Sequence, residues 1–304
     1  MSRINHQKSR EFGSMEFLAK QVVEGFITGL HKSPFHGFSV EFSEHKLYNR
    51  GESTKNIDWK LFARTDKLYV KKYEEETNLR CQIVIDSSSS MYFPSDDANN
   101  KLSFSIDSAA ALIYLMRNQR DAVGLSLFSD QISLHTKPKS SRTNQRFLFA
   151  ELEKLLFDYR EKKDEKTVLA KSLHSVAEAS QSRSLIIIFS DFRSSDKLED
   201  VVKALQHLRH NKHEVIIFDV FHKKLEGTLD FENRPYTFID MESGEQIKLN
   251  PVQLKEDFKE QFNATKLAFK NMCGKYQIDY IEADISQGFN QVLMQYLVKR
   301  QKML

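Results

Sequence analysis

The sequence predicts an α/β protein built on a doubly wound, mostly parallel six-stranded sheet with one antiparallel edge strand. Three observations lead there. From Cys81 onward, short β-branched runs alternate with segments of helical apolar spacing. Two of the runs, IVID and IIIFSD, open on three or four consecutive apolar residues and close on an acid, as strands buried on both faces do. One pair of runs is joined by only Ser129, Asp130 and Gln131, too short a link for a crossover.

Strands are expected at 80–86 (RCQIVID), 123–128, 132–135, 184–190 (SLIIIFS), 214–220 (EVIIFDV) and 277–282 (QIDYIE). Five of them read as parallel, whereas 132–135 reads as an antiparallel strand at the sheet edge. Between strands the apolar period changes to that of a helix. Leu148, Leu152, Leu155, Leu156 and Tyr159 share one face, and Leu198, Val201, Val202, Leu205 and Leu208 share another behind a capping Asp196. Phe258, Phe262, Phe269 and Met272 form a third stripe, and Phe289, Val292, Leu293, Tyr296 and Leu297 a last one after Ser286. Such stripes are core and are assigned no chemistry. Residues 225–251 interrupt the alternation with two extended runs around Glu242, Ser243 and Gly244, an inserted hairpin.

Residues 1–78 are expected to form a smaller α+β segment that packs on a main domain at 79–304. They contain a helical pattern at 17–30, then extended SPFHGFSVEF and KLYVKKYEEE around a polar GESTKN loop. Trp59 reads as an apolar anchor with Asp58, Arg64 and Asp66 around it, and Glu74, Glu75 and Glu76 as a solvated edge.

Composition narrows the function classes. At 304 residues, 40% apolar and 29% charged, the chain buries a substantial core and is not intrinsically disordered. Forty-five basic side chains against 42 acidic ones give +3, with the two signs interspersed, which argues against a dedicated nucleic-acid binder. The scattered Lys137, Lys139, Arg142 and Arg146 read as a solubilised edge. The longest apolar run, the eight residues from Ala109 to Met116, falls far short of the roughly 18 that span a bilayer. The polar opening MSRINHQKSREFGS lacks a secretory apolar region, so a cytoplasmic location is expected. Cys81 and Cys273 have neither a disulfide framework nor zinc-type neighbours and are expected in the core.

The chemistry concentrates in IVIDSSSSM. Asp86 ends a buried strand, and hydroxyls follow at Ser88 and Ser90, where alternate side chains of the turn face one crevice. Asp191 ends another buried strand, IIIFSD. In a doubly wound sheet these two strand ends lie together at the topological switch point. Thr167, in the polar loop EKKDEKT, adds a hydroxyl within reach of the same crevice. Asp86, Ser88, Ser90, Thr167 and Asp191 therefore form an all-oxygen candidate site for a hard divalent cation, most readily Mg²⁺, with Mn²⁺ or Ca²⁺ as alternatives. Neutral hydroxyl donors leave such an ion able to accept a carboxylate from outside the chain. The plain alternative is a capping turn at DSSSS and a helix-capping Asp191. Asp130, which repeats the Phe-Ser-Asp pattern, is read as a turn residue at the antiparallel edge.

These residues resemble the metal-ion-dependent adhesion site of a von Willebrand factor type A domain, which uses D-x-S-x-S, a later threonine and an aspartate after the following core strand. The resemblance implies the same five positions, with Thr143 a poorer competitor to Thr167 just after the edge strand. GLHKSPFHGFSVEF and NRGESTKNIDWKLFARTDKLYVKKYEEET resemble the stretch preceding such a domain in the bacterial family called domain of unknown function fifty-eight. That family commonly has Gly-Asp-Asp or Gly-Asp-Glu where this chain has Gly51, Glu52 and Ser53, so one charge is lost there, and it usually has arginine at Lys55.

The expected function is a non-enzymatic interaction module that holds a divalent cation and binds a partner's Asp or Glu. The family resemblance implies an adaptor for a MoxR-type AAA+ ATPase. The alternative is a Mg²⁺-dependent phosphohydrolase using the same crevice; against it, such chemistry wants a second acid two residues after Asp86, and Ser88 stands there.

Overall fold

The computed structural model describes residues 15–31, 45–47, 59–65, 68–71, 79–94, 99–157, 168–193 and 196–303, with the backbone alone at 25–31, 45–47, 59–60, 69–71 and 299–303. The chain falls into two compact units, Met1–Phe26 with Leu79–Leu304, and Ile27–Asn78.

In the first unit, α1 (Met15–His31) contributes its opening turns, with Ala19 and Val23 buried. Helix α1 continues into the second unit, which also holds the antiparallel pair β1 (His45–Leu47) and β2 (Tyr69–Lys71) and the short helix α2 (Trp59–Thr65). Trp59 opens α2. The expectations for its side chain, for Asp58 and Asp66, for SPFHGFSVEF and GESTKN, and for the Glu74, Glu75, Glu76 run lie outside the described residues.

The main sheet contains β3 (Arg80–Asp86), β4 (Ala122–Phe128), β5 (Ile132–His135), β6 (Leu185–Ser190), β7 (Glu214–Phe221) and β10 (Asp279–Asp284) in the order β10-β7-β6-β3-β4-β5. All neighbours are parallel except β4 and β5, so the antiparallel edge strand stands where the short link required it. The inserted hairpin is also present, as β8 (Tyr236–Ile239) paired with β9 (Gln246–Leu249).

Helices cover both faces. On one lie α3 (Lys101–Asn118), α4 (Arg142–Phe157) and α8 (Asn290–Met303); on the other lie α5 (Leu169–Ala179), α6 (Leu198–His210) and α7 (Pro251–Lys275). Val84, Ile186, Ile188, Val215 and Ile217 pack with Leu173, Val176, Leu205 and Leu208 beneath α5 and α6. Cys81 and Cys273 are buried free thiols. The apolar run Ala109 to Met116 is the fully buried middle of α3. Among the described residues no helix is long and apolar enough to cross a membrane.

Two local expectations are corrected. Asp196 does not cap α6, whose N-cap position is Lys197; its carboxylate instead accepts from the backbone N of Ala170 at 2.9 Å and caps α5. Strand β10 begins two residues later than expected. Gln277 adopts φ +55°, and the N of Ile278 bonds back to the carbonyl of Cys273, so 276–278 close α7 before extended backbone begins. Tyr159, expected on the α4 stripe, lies outside the described residues.

Candidate metal centre

Strands β3 and β6 are adjacent, and the strand order reverses at β3, with β4 and β5 laid down on one side of it and β6, β7 and β10 on the other. Asp86 and Asp191 therefore meet at the carboxyl edge of the sheet. Asp86 is 1% exposed and Asp191 4%.

The Asp86 carboxylate accepts from the backbone N of Ser88 at 3.0 Å and from the Ser190 hydroxyl at 2.6 Å. The hydroxyls of Ser88 and Ser90 lie 3.2 Å apart. Ser88 occupies the N-cap position of the 3₁₀ turn Ser89–Tyr92, yet its side chain makes no cap bond. The turn is anchored from behind, since the N and hydroxyl of Ser87 both donate to the Phe128 carbonyl, at 2.7 and 2.9 Å. Asp191 does not cap α6 either; its Oδ1 accepts from the N of Arg193 at 3.1 Å. The capping alternatives for Ser88 and Asp191 thus do not describe this turn.

Of the five residues singled out from sequence, four converge here. Thr167 lies outside the described residues. Its successor Val168 donates its N to the Ser129 carbonyl at 3.4 Å, so the segment entering α5 passes the end of β4. Thr143 is exposed in the first turn of α4, and Asp130 is exposed in the β4–β5 turn.

Two groups that sequence reasoning missed complete the crevice. Lys101, at the start of α3 and 1% exposed, places its Nζ 2.7 Å from Asp191 Oδ2 and 2.9 Å from Glu226 Oε1. Glu226 sits on a π-helical turn, Lys223–Gly227, directly after β7, and its Oε2 accepts from the N of His222 at 2.7 Å. A signal for Lys101 existed: a cation opening a helix that is buried through Met116 requires a carboxylate partner. Nothing local marks Glu226.

The electrostatics divide the two acids. Burial, and then the charge of Asp191, push the Asp86 carboxyl up to about 7, against hydrogen bonds from Ser190 and Ser88. Burial acts the same way on Asp191, but the Lys101 ammonium outweighs it and holds that carboxyl below its ordinary range. Among the described residues no cationic side chain pairs with Asp86. With all groups ionised, Asp86, Asp191 and Glu226 against Lys101 leave two negative charges in a largely buried crevice. All donors are oxygens, two of them neutral hydroxyls. That charge and donor set fit a hard divalent ion. Among the described residues no group of three or more His, Cys, Asp or Glu is arranged to hold a metal, and this crevice offers carboxylates and hydroxyls instead.

The crevice opens into a cavity of about 820 Å³ whose lining also includes Phe258, Phe262 and Phe269 of α7 and Asp240 to Ser243 of the inserted hairpin. In the same lining, Asp219 pairs with Lys266 at 3.3 Å and accepts from the Tyr280 hydroxyl.

Fold and crevice together define a doubly wound α/β protein with an oxygen-donor site at the switch point of its sheet. The chain belongs to the family described as protein of unknown function DUF58, whose model matches residues 44–268. It is similar to uncharacterized proteins of Mycobacterium tuberculosis and Mycobacterium bovis, each 24% identical over 132 residues, covering 43% of this chain. The chain spans about two fifths (41%) of the length of these curated relatives. Among solved structures it is similar to the conserved hypothetical protein BatB from Bacteroides thetaiotaomicron (TM-score 0.45, 16% identity, covering 74% of this chain and 99% of that one). An aerotolerance-related membrane protein from Bacteroides fragilis matches with TM-score 0.45 and 18% identity, covering 70% and 99% respectively. The VWA domain of SpRpn10 matches with TM-score 0.33 and 10% identity, covering 72% and 94%.

Proposed function

We propose that this chain is a non-enzymatic interaction module in which Asp86, Ser88, Ser90 and Asp191, with Thr167 from the loop before α5, hold a divalent cation, most readily Mg²⁺. When bound, the ion supplies positive charge and an open coordination position to an Asp or Glu of a partner protein. The observation that carries this reading is the Asp86 carboxylate, 1% exposed, beside a second carboxylate and, among the described residues, without a cation of its own. A buried acid in that setting is costly unless a positive charge is delivered to it.

The chain's own groups divide the work. Asp86 and Asp191 supply charge, Ser88 and Ser90 supply neutral oxygens, and Ser190 orients Asp86. The bond from the Ser88 N leaves that residue's hydroxyl turned toward Ser90 rather than toward the backbone. The adjoining cavity, with aromatic side chains on one wall, offers a surface for the residues that flank the partner's acid. The partner class follows from the family resemblance: a MoxR-type AAA+ ATPase or its client, met in the cytoplasm. Ser88 weighs against hydrolysis, because a hydroxyl at that position is no general acid.

The test is a Mg²⁺ titration followed by thermal unfolding. The chain is expected to gain stability with Mg²⁺ while Asp86→Ala does not. Equal stabilisation of both removes the ion from this crevice.

A further inference from the structure

Resting on the divalent-ion reading of the crevice, we infer that Lys101 is a tethered competitor for the ion: its ammonium bridges Asp191 and Glu226 and must give up Asp191, keeping Glu226 alone, for Asp191 to serve as a ligand. The two seats are already in place. The ammonium lies 2.7 Å from Asp191 and 2.9 Å from Glu226, and Lys101 and Asp191 side chains are each 2% exposed. Burial of both side chains weakens the screening between the ammonium and an incoming dication. An ion on Asp191 and an ammonium still bonded to the same carboxylate would face each other across two oxygens between side chains that are each 2% exposed, where like charges repel more strongly than in bulk water.

Glu226 makes the exchange feasible. It keeps a carboxylate on Lys101 after Asp191 is taken, so the cation is never stranded in the interior. Its other oxygen is held by the N of His222 at 2.7 Å, which fixes this second seat on the turn that follows β7. The Phe93 ring, 5.7 Å from the ammonium, lines the same space. Ion occupancy is then coupled to the Lys223–Gly227 turn through one side chain, and the affinity of the crevice is set by an exchange of cations rather than by the ligands alone.

The decisive variant is Lys101→Met/Glu226→Gln. It removes one positive and one negative charge, so the net charge of the crevice is unchanged while Asp191 is freed. Calorimetric titration of Mg²⁺ into the full chain is expected to show binding about tenfold tighter in this variant than in the wild type, and lost when Asp86→Ala is added. Equal affinity of wild type and double variant, both lost with Asp86→Ala, overturns the competition and leaves the ion site standing. Absence of binding in every variant overturns both. Tighter binding that survives Asp86→Ala also overturns it, because the ion is then elsewhere. A readout on the wild type guards against misfolded variants. The ¹³Cε resonance of Lys101, assigned by its loss in Lys101→Met, is expected to shift on saturation with Mg²⁺ and to stay put in Asp86→Ala. No shift in the wild type at saturation overturns the proposal.

Discussion

Ser190 donates its hydroxyl to Asp86 at 2.6 Å across 104 positions of sequence. The same oxygen accepts from the N of Phe192 at 3.0 Å, so the hydroxyl is held from both sides. Even this bond does not keep Asp86 acidic. Burial and the neighbouring Asp191 push its carboxyl up to about 7, which is a statement about stability as well as about charge.

In the ion-free chain, Asp86 holds its proton up to about 7 when folded, against an ordinary value of 3.8. Between those values the folded state binds more protons than the unfolded one, so stability falls as pH rises from the ordinary value to about 7 and then levels off. Asp86→Asn removes the penalty. With chelator present, urea unfolding is expected to show the variant more stable than wild type at pH 8, by up to about 4 kcal/mol, with the gap closing by pH 4. A variant no more stable at pH 8 contradicts the charge environment described for Asp86.

Lys266 and Asp219 form a second ion pair lining the cavity, 3.3 Å apart, with side chains 11% and 7% exposed. Burial pushes Asp219 up, and Lys266 and the Tyr280 hydroxyl pull against it. Lys266→Met strands the carboxylate and is expected to cost about 3 kcal/mol, most of it recovered by adding Asp219→Asn. A double-mutant cycle in urea checks this; additive losses would show that the pair is not coupled.

Asp196 closes α5, not the helix that follows it in sequence. Asp196→Ala is expected to cost about 1 kcal/mol. Hydrogen exchange should quicken in the first turn of α5 and remain unchanged in that of α6, and the reverse pattern would place the cap on the wrong helix.

Gly124 sits in the middle of β4 with no room for a side chain. An added Cβ would lie 2.4 Å from Gln82 Oε1 and 2.5 Å from the Thr136 carbonyl. Gly124→Ala is expected to cost about 2 kcal/mol or more because backbone must move. An unchanged melting temperature would mean that the segment after β5 shifts freely.

Much of the fold is legible in the chain because strand burial is a local signal. IVID and IIIFSD are apolar on both faces, and the three residues after Phe128 force a hairpin. Helix ends are less legible. Asp196 has the right residue type for the cap it was expected to make, but a carboxylate serves whichever backbone N lies nearest in space, and that belongs to Ala170. The start of β10 was hidden by the left-handed Gln277, whose conformation follows from closing α7 and not from its side chain.

The amino-acid order alone settled where the strands run, which one turns back, and that two acids at strand ends share a seam, because burial periodicity and link length act within a few residues. Only the folded molecule decided what surrounds those acids. Lys101 stands 90 positions from Asp191 and 125 from Glu226, and no pattern within either segment links them. Charges in a dry interior interact through space, so the electrostatic character of the crevice depends on packing that no short stretch of sequence contains.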